Sequence, residues 1–559
     1  MPALLVGCLG GCAAFGVLEG FRRRRPAAPI GLAAGGPLPF ASPFGRHGTA
    51  PWSPMKFMSP VTHLRREDGA STGRSNLRRD DGASPGRSGE ISPVKPLSGD
   101  ISLTPSKADF RLAGTMPLEL DEARYVALLR RLIGESKHLQ NNPRLGITPQ
   151  EKRAAQVVME ELAPYSQAKG GPLIIEELEY VTNRSNLKVV YPGTTDKTIS
   201  FVGSHFDVVP ADPSTWDKDP FELTVEDGKL YGRGTTDCLG HVALITRFLV
   251  ELGRKRPKLK RTIVVVFIAG EEGGEQGVGV DEVVRTGKLK EALGGPVYWV
   301  DSADSQPCCG TTGMLSWSLK CTGRLFHSGF PAKGINSIEL AMEACNYIQQ
   351  RFYEDFPPLA NEDAYRFSNG STMKPTQIEC AKGSLNQICP ETTVSGDIRL
   401  SPFYEVEDAQ QAIEGYVKDL NDMDLEMLPT KGSWSKYVLA DDVTTMPNEL
   451  RRGLIELKWQ GDTDSFKLYA GIAVNSDSEG HKALVQACRE TYSKVRPFSV
   501  SGSLPLVKMM QKQGFDIQLC GFGLMAVYHG VNEYCTSADM RKAHEVLLRI
   551  VCLLEAVTD

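Results

Sequence analysis

Short apolar runs bounded by turn residues mark the chain beyond about residue 118. TISFVG (Thr198 to Gly203), TIVVVFIAG (Thr262 to Gly270) and GPVYWV (Gly295 to Val300) are nearly unbroken hydrophobic stretches of strand length. A strand buried on both faces loses the alternation of a half-exposed one, so these read as interior strands of a largely parallel sheet. DEARYVALLRRLIGESK (Asp121 to Lys137) and CLGHVALITRFLVELG (Cys238 to Gly253) have helical spacing instead. Strands alternating with helices predict an α/β domain. Between Met314 and about Gly471 the pattern changes. WSLKCTG and TVSGDIRL (Thr393 to Leu400) read as strands, and NSIELAMEACNYIQQRF (Asn336 to Phe352) between them as an amphipathic helix.

The first hundred residues carry no such pattern. An apolar, Gly-rich stretch from Ala3 to Leu18 precedes FRRRR (Phe21 to Arg25), and LRREDGASTGRSN (Leu64 to Asn76) is followed by its near-copy LRRDDGASPGRSG (Leu77 to Gly89). Two copies without apolar periodicity build no solenoid, so disorder is the expectation. The expected division is a leader at 1–117, a catalytic domain in two parts at 118–313 and 475–559, and an inserted domain at 314–474. Residues 1–100 hold 13 Lys+Arg against 7 Asp+Glu, and the remainder 50 against 61. A basic, acid-poor leader on an acidic body suits an organelle address, with a plastid as the expected destination and mitochondrial or cytoplasmic placement as alternatives. The net charge of −5 supplies no field for nucleic acid. The apolar run is short for a span, so no stable membrane association is expected of the mature protein. Thirteen scattered cysteines without a CxxC pair read as reduced thiols.

The chemistry gathers where the apolar runs end. TISFVG leads into His205 and Asp207, TIVVVFIAG into Glu271 and Glu272, and GPVYWV into Asp301, while GRGTTDCLG sets Asp237 before a helix. Ligands of α/β sheets collect beyond the carboxyl ends of the strands. Singly, Asp237 reads as a helix N-cap and the two glutamates as a solvated pair. Jointly these readings fail, because like charges converging on one rim repel unless a cation compensates them. A pair of divalent metal ions, bridged by one carboxylate, supplies that cation.

HFDVVP, GRGTTDCLG and AGEEGGEQGVG together resemble the signature blocks of the metallopeptidase family that contains acetylornithine deacetylase, succinyl-diaminopimelate desuccinylase and aminoacylase. The resemblance covers about residues 118–559 and is strongest to the plant-type acetylornithine deacetylase-like members. It implies a zinc-exopeptidase-like catalytic domain with an inserted βαββαβ lid used for dimerisation. It also implies two divalent metal ions, Zn2+ in the first place and Co2+ as the alternative. His205 would bind one metal with Asp207 orienting it, Asp237 would bridge, Glu272 would bind the second, and Glu271 would be the general base. Where the family shows Gly-Glu-Pro-Thr, this chain has VDSADSQP, which sets Asp301 on the ligand position with Asp304 as the alternative. MAVYHGVNEY sets His529 on the last ligand. His241 has no family role and is read as structural. Leu239 stands where the family commonly has lysine, which puts subfamily specificity in question.

In the insertion, FHSG sets His327 on the family's lid histidine, which polarises the scissile carbonyl and often reaches in from the partner subunit. GSLNQICP sets Asn386 on a substrate contact, and Arg399 in DIRL on the arginine that grips a substrate carboxylate. The implied activity is hydrolysis of an N-acyl amino acid by a homodimeric enzyme. N2-acetyl-L-ornithine, giving L-ornithine and acetate in arginine biosynthesis, is the expected substrate. The alternatives are aminoacylase, dipeptidase or desuccinylase activity, or a non-catalytic relative.

Overall fold

The computed structural model describes Met116 and residues 119–422, 424–461 and 469–557. The leader and its duplicated segment lie outside these residues, as does the expected address. Ahead of the insertion the chain forms β1 (Ile174–Val181), β2 (Arg184–Tyr191), β3 (Thr198–His205), the short β4 (Thr224–Glu226) and β5 (Lys229–Tyr231), β6 (Thr262–Ile268), β7 (Pro296–Ser302) and β8 (Cys308–Thr311). The insertion contributes β9 (Gly313–Thr322), β10 (Thr372–Cys380), β11 (Glu391–Leu400) and β12 (Leu454–Trp459). After it come β13 (Phe498–Val500), β14 (Asp516–Gly521) and β15 (Tyr534–Thr536).

Eight strands form one mixed sheet in the order β1-β2-β6-β3-β7-β14-β8-β13. Its centre, β6-β3-β7-β14, is parallel throughout. Along β3 and β7 every residue is buried, the signature of strands covered on both faces. Phe201, Val265 and Tyr298 face one core with the helices Glu122–Leu139, Lys152–Leu162, Leu239–Lys255, Glu479–Thr491 and Ser537–Ala556. Val202, Val266 and Trp299 face a second core, to which the insertion adds Tyr365, Phe367 and Phe403. Among the described residues no helix is long and apolar enough to cross a membrane, and no disulfide joins the described cysteines.

The insertion follows the βαββαβ order, with helices Ser337–Asp355 and Val406–Asp422 between strands. Its sheet, β10-β11-β9-β12, is wholly antiparallel. Leu315, Trp317, Leu319 and Cys321 of β9 pack under the two helices, and the alternate residues Ser316, Ser318 and Lys320 turn to the open face. The chain returns to the body at a bridge between Ala473 and Gly310.

Candidate metal centre

The parallel strands end along one edge, and the predicted acidic and imidazole groups meet there. β3 carries a bulge against β6 between Val202 and His205. Gly203 occupies it at φ +96°, where any Cβ would lie 2.6 Å from the Trp299 ring, so only glycine fits. The bulge sets His205 wholly inside. Its Nε2 lies 2.9 Å from Asp237 Oδ1, 3.4 Å from Asp301 Oδ1 and 3.7 Å from Glu271 Oε2. Asp237 Oδ2 faces the other way, 2.7 Å from His529 Nε2, which in turn lies 3.2 Å from Glu272 Oε2. One carboxylate thus offers an oxygen to each of two imidazoles. Asp237 does not cap the following helix, whose N-cap is Cys238.

Asp207 differs in detail from the sequence reading. The Nδ1 of His205 meets the main-chain oxygen of Asp207 at 2.8 Å, while the carboxylate Oδ1 stands at 3.4 Å. The Asp207 carboxylate is engaged elsewhere. It accepts the backbone N–H groups of Glu271 (3.1 Å) and Glu272 (3.0 Å) and the side-chain amide of Asn141 (2.9 Å). A buried carboxylate takes the strongest donors within reach, here two amides opening the turn after β6. Asp207 therefore holds the glutamate pair as well as the imidazole. Glu272 Oε1 is fixed by the backbone N–H of Val209, which locks the two loops together.

Two donor sets emerge, His205/Asp237/Cys238/Asp301 and Asp237/Glu272/His529, each with its ligand atoms within 4.8 Å of one another. Glu271 belongs to neither and is the unspent carboxylate beside them. The alternative acid, Asp304, points away: its Oδ1 accepts the backbone N–H of Met525. Donors on one tetrahedral zinc at about 2.1 Å stand roughly 3.4 Å apart, and the separations within the two sets, 2.7 to 3.4 Å, reach up to that figure. Electrostatics agree. Burial, reinforced by Asp301, pushes Glu271 well above the carboxylate range. Burial and Asp237 push Glu272 up to about 7, and burial raises Asp301. Burial works against charging His529, but Asp237 and Glu272 outweigh it and lift the ring to about 11. Without metal, the protonated His529 ring is the positive charge that these carboxylates share, and divalent cations at the two donor sets would take its place.

Residues that pattern alone passed over complete the centre. The buried carboxylate of Glu533 accepts the backbone N–H groups of Gly234 (3.0 Å), Thr236 (2.7 Å) and Asp237 (3.0 Å), and binds Arg233 Nη1 at 2.7 Å. The Tyr528 hydroxyl donates to the main-chain oxygen of Asp301 at 3.0 Å. Cys238 Sγ lies 3.2 Å from His241 Nδ1. The Phe522 N–H donates to His241 Nε2 at 2.7 Å, so the proton of His241 sits on Nδ1 and faces the sulfur. Burial pulls His241 down to about 4, leaving a neutral supporting ring, as the sequence suggested. Leu239 is fully buried against Val208 and Gly234, a place without room for a solvated lysine head.

The lid residues form a second group. His327 is exposed, and its ring meets the N–H of Gly329 at 3.0 Å and the edge of Phe330. Asn386 lies beside it, its main-chain oxygen accepting the Ser328 N–H at 2.9 Å. Arg399, on β11, donates through Nε to Asp397 at 2.8 Å. None of these contacts reaches the two donor sets.

A carboxylate shared between two imidazole-bearing donor sets, at the carboxyl edge of a parallel sheet, defines a metal-dependent hydrolase. The chain belongs to peptidase family M20/M25/M40, whose family model matches residues 201–552. It is 48% identical over 441 residues to an acetylornithine deacetylase of Arabidopsis thaliana (78% of this chain, 97% of the relative). It is 45% identical over 447 residues to one of Dictyostelium discoideum (78% and 98%). Among solved structures it resembles an M20 family metallo-carboxypeptidase of Sulfolobus solfataricus (TM-score 0.56, 17% identity, 78% of this chain and 99% of that one). Human carnosine dipeptidase 1 is similar in fold (TM-score 0.53, 17% identity, 78% and 97%).

Proposed function

We propose that the enzyme removes the acetyl group from N2-acetyl-L-ornithine, releasing L-ornithine and acetate. The observation that carries the chemistry is the division of labour around Asp237, which serves two donor sets while Glu271 is left free beside them. Near-full-length identity to two acetylornithine deacetylases supports the substrate. His205, Asp237 and Asp301 would hold one cation, and Asp237, Glu272 and His529 the other, with zinc as the metal and cobalt as its alternative. When bound, such cations polarise the acyl carbonyl and lower the pKa of a water towards ~7. Glu271 accepts the proton of the attacking water and returns it to the leaving amine. The Gly329 N–H occupies Nδ1 of His327, so a neutral ring carries its proton on Nε2, ready to donate to the acyl oxygen. Arg399 retains its Nη donors for the substrate carboxylate, with Asn386 beside His327 as a further contact. Action of the lid from a partner copy in a homodimer, and plastid targeting by the leader, belong to the same proposal.

Assay of the metal-loaded enzyme against a panel of N-acyl amino acids and dipeptides tests the reading. N2-acetyl-L-ornithine should give the highest kcat/KM. A tenfold preference for another N-acyl amino acid, an N-succinyl substrate or a dipeptide would replace it with aminoacylase, desuccinylase or dipeptidase activity. Absence of bound metal in purified protein would favour a non-catalytic relative.

A further inference from the structure

A cavity of about 630 Å3, whose lining includes no residue of the two donor sets, is bounded by Asp304, Gln306, Tyr492, Lys494, Arg496 and Lys542 among others. Its charge is one-sided. Lys494, Arg496 and Lys542 converge on it from the segment after helix Glu479–Thr491 and from the C-terminal helix. Among the described residues none of the three has a carboxylate partner within ion-pair distance. Elsewhere on this acidic body cations are commonly paired, as Arg549 is with Glu490 and Glu545, and Arg131 with Glu160. The one acid in the lining, Asp304, has an oxygen committed to the backbone N–H of Met525 at 2.9 Å. The wall is well braced. Gln306 Oε1 accepts the Arg496 N–H at 2.7 Å, and the Phe498 N–H donates to the main-chain oxygen of Pro307 at 3.2 Å. Tyr492 and Phe498 add aromatic surface, with Lys542 Nζ 5.5 Å from the Tyr492 ring centre.

We propose that this cavity is a binding site for a small phosphate dianion, separate from the catalytic centre. Three cations against the single carboxylate of Asp304 leave a formal excess that a monoanion does not neutralise, and a guanidinium with two ammonium groups matches the oxygens of a phosphoryl group. The aromatic pair offers a surface for an organic substituent on the phosphate. The cavity shares Asp304 with the loop that carries Tyr528 and His529, so an occupant lies against a support of the metal centre.

Calorimetric titration of the metal-loaded full chain with inorganic phosphate and with phenyl phosphate, at constant ionic strength, tests this. The comparison is the triple variant Lys494→Gln, Arg496→Gln, Lys542→Gln, which should keep wild-type metal content and kcat/KM. Saturable binding by the wild type, weakened at least tenfold in the variant, is expected. Tighter binding of phenyl phosphate would identify an organic phosphate, and equal binding the free ion. Undiminished affinity in the variant would place the anion at the metals instead and overturn the proposal, as would the absence of saturable binding.

Discussion

Glu533 Oε1 accepts the backbone N–H of Asp237 at 3.0 Å, across 296 positions of sequence. The same carboxylate gathers Gly234, Thr236 and Arg233, so the whole turn that presents the shared ligand hangs on one side chain. Replacing Glu533 by Ala would strand the buried Arg233 guanidinium and cost about 3–5 kcal/mol of stability. Glu533→Gln keeps the shape but gives up an acceptor, and two of its contacts become donor against donor. It should fold and lose about 10–100-fold in metal affinity, the range found when groups that orient ligands are removed. Metal titration of the apo variant reads this directly, and wild-type affinity would refute it.

Glu271→Gln should retain both metals and lose turnover by about 10⁴-fold, the upper end for general acid–base catalysis. The residue stands 3.7 Å from His205 Nε2 yet belongs to neither donor set. Loss of metal from this variant would mean that the two adjacent glutamates exchange roles.

Asp301→Asn should weaken the metal site that it shares with His205, whereas Asp304→Asn should leave both sites loaded. Asp304 uses Oδ1 to accept the Met525 N–H, which asparagine also does. Metal analysis giving the reverse pattern would shift the ligand three residues along the chain.

These contrasts show what was legible in the sequence. The unbroken apolar runs ending at His205, Glu271 and Asp301 disclosed both the parallel sheet and the edge where its acids meet, because burial on two faces and loop position follow from local pattern. The pairing of β1, β2 and β6 as an antiparallel flank was not legible, since hydrophobic runs carry no strand direction. Nor were the duties of Glu533 and Tyr528, whose partners lie more than 200 residues away. Asp207 was found for its position, but the choice between its carbonyl and its carboxylate as partner of His205 depends on where the Glu271 amides fall, which only the folded turn decides.

A last prediction concerns pH and lies away from the metals. His481 is buried in the helix Glu479–Thr491, and its Nδ1–H donates to Gln518 Oε1 at 3.0 Å. The amide orientation of Gln518 is set by its Nε2, which donates to Ser478 and Asp516. The other ring nitrogen, Nε2, is buried without a partner, so protonation would place an unpaired charge in the core. Burial accordingly lowers the pKa of His481 below the ordinary histidine value. In the unfolded chain the ring takes up a proton near pH 6.5. Below that pH the unfolded state binds a proton that the native state refuses, so His481 makes stability fall as pH drops and has no effect above it. Asparagine at this position keeps a donor for Gln518 and cannot titrate. His481→Asn should therefore flatten the acid side of the stability curve, by a slope that grows below pH 6.5 towards a limit of about 1.4 kcal/mol per pH unit, that of a single proton. Denaturant melts of wild type and variant in the same metal state, between pH 5 and 8, measure the difference. Parallel curves across that span would show that the folded His481 ring takes up its proton at the same pH as the unfolded one, and would refute the prediction.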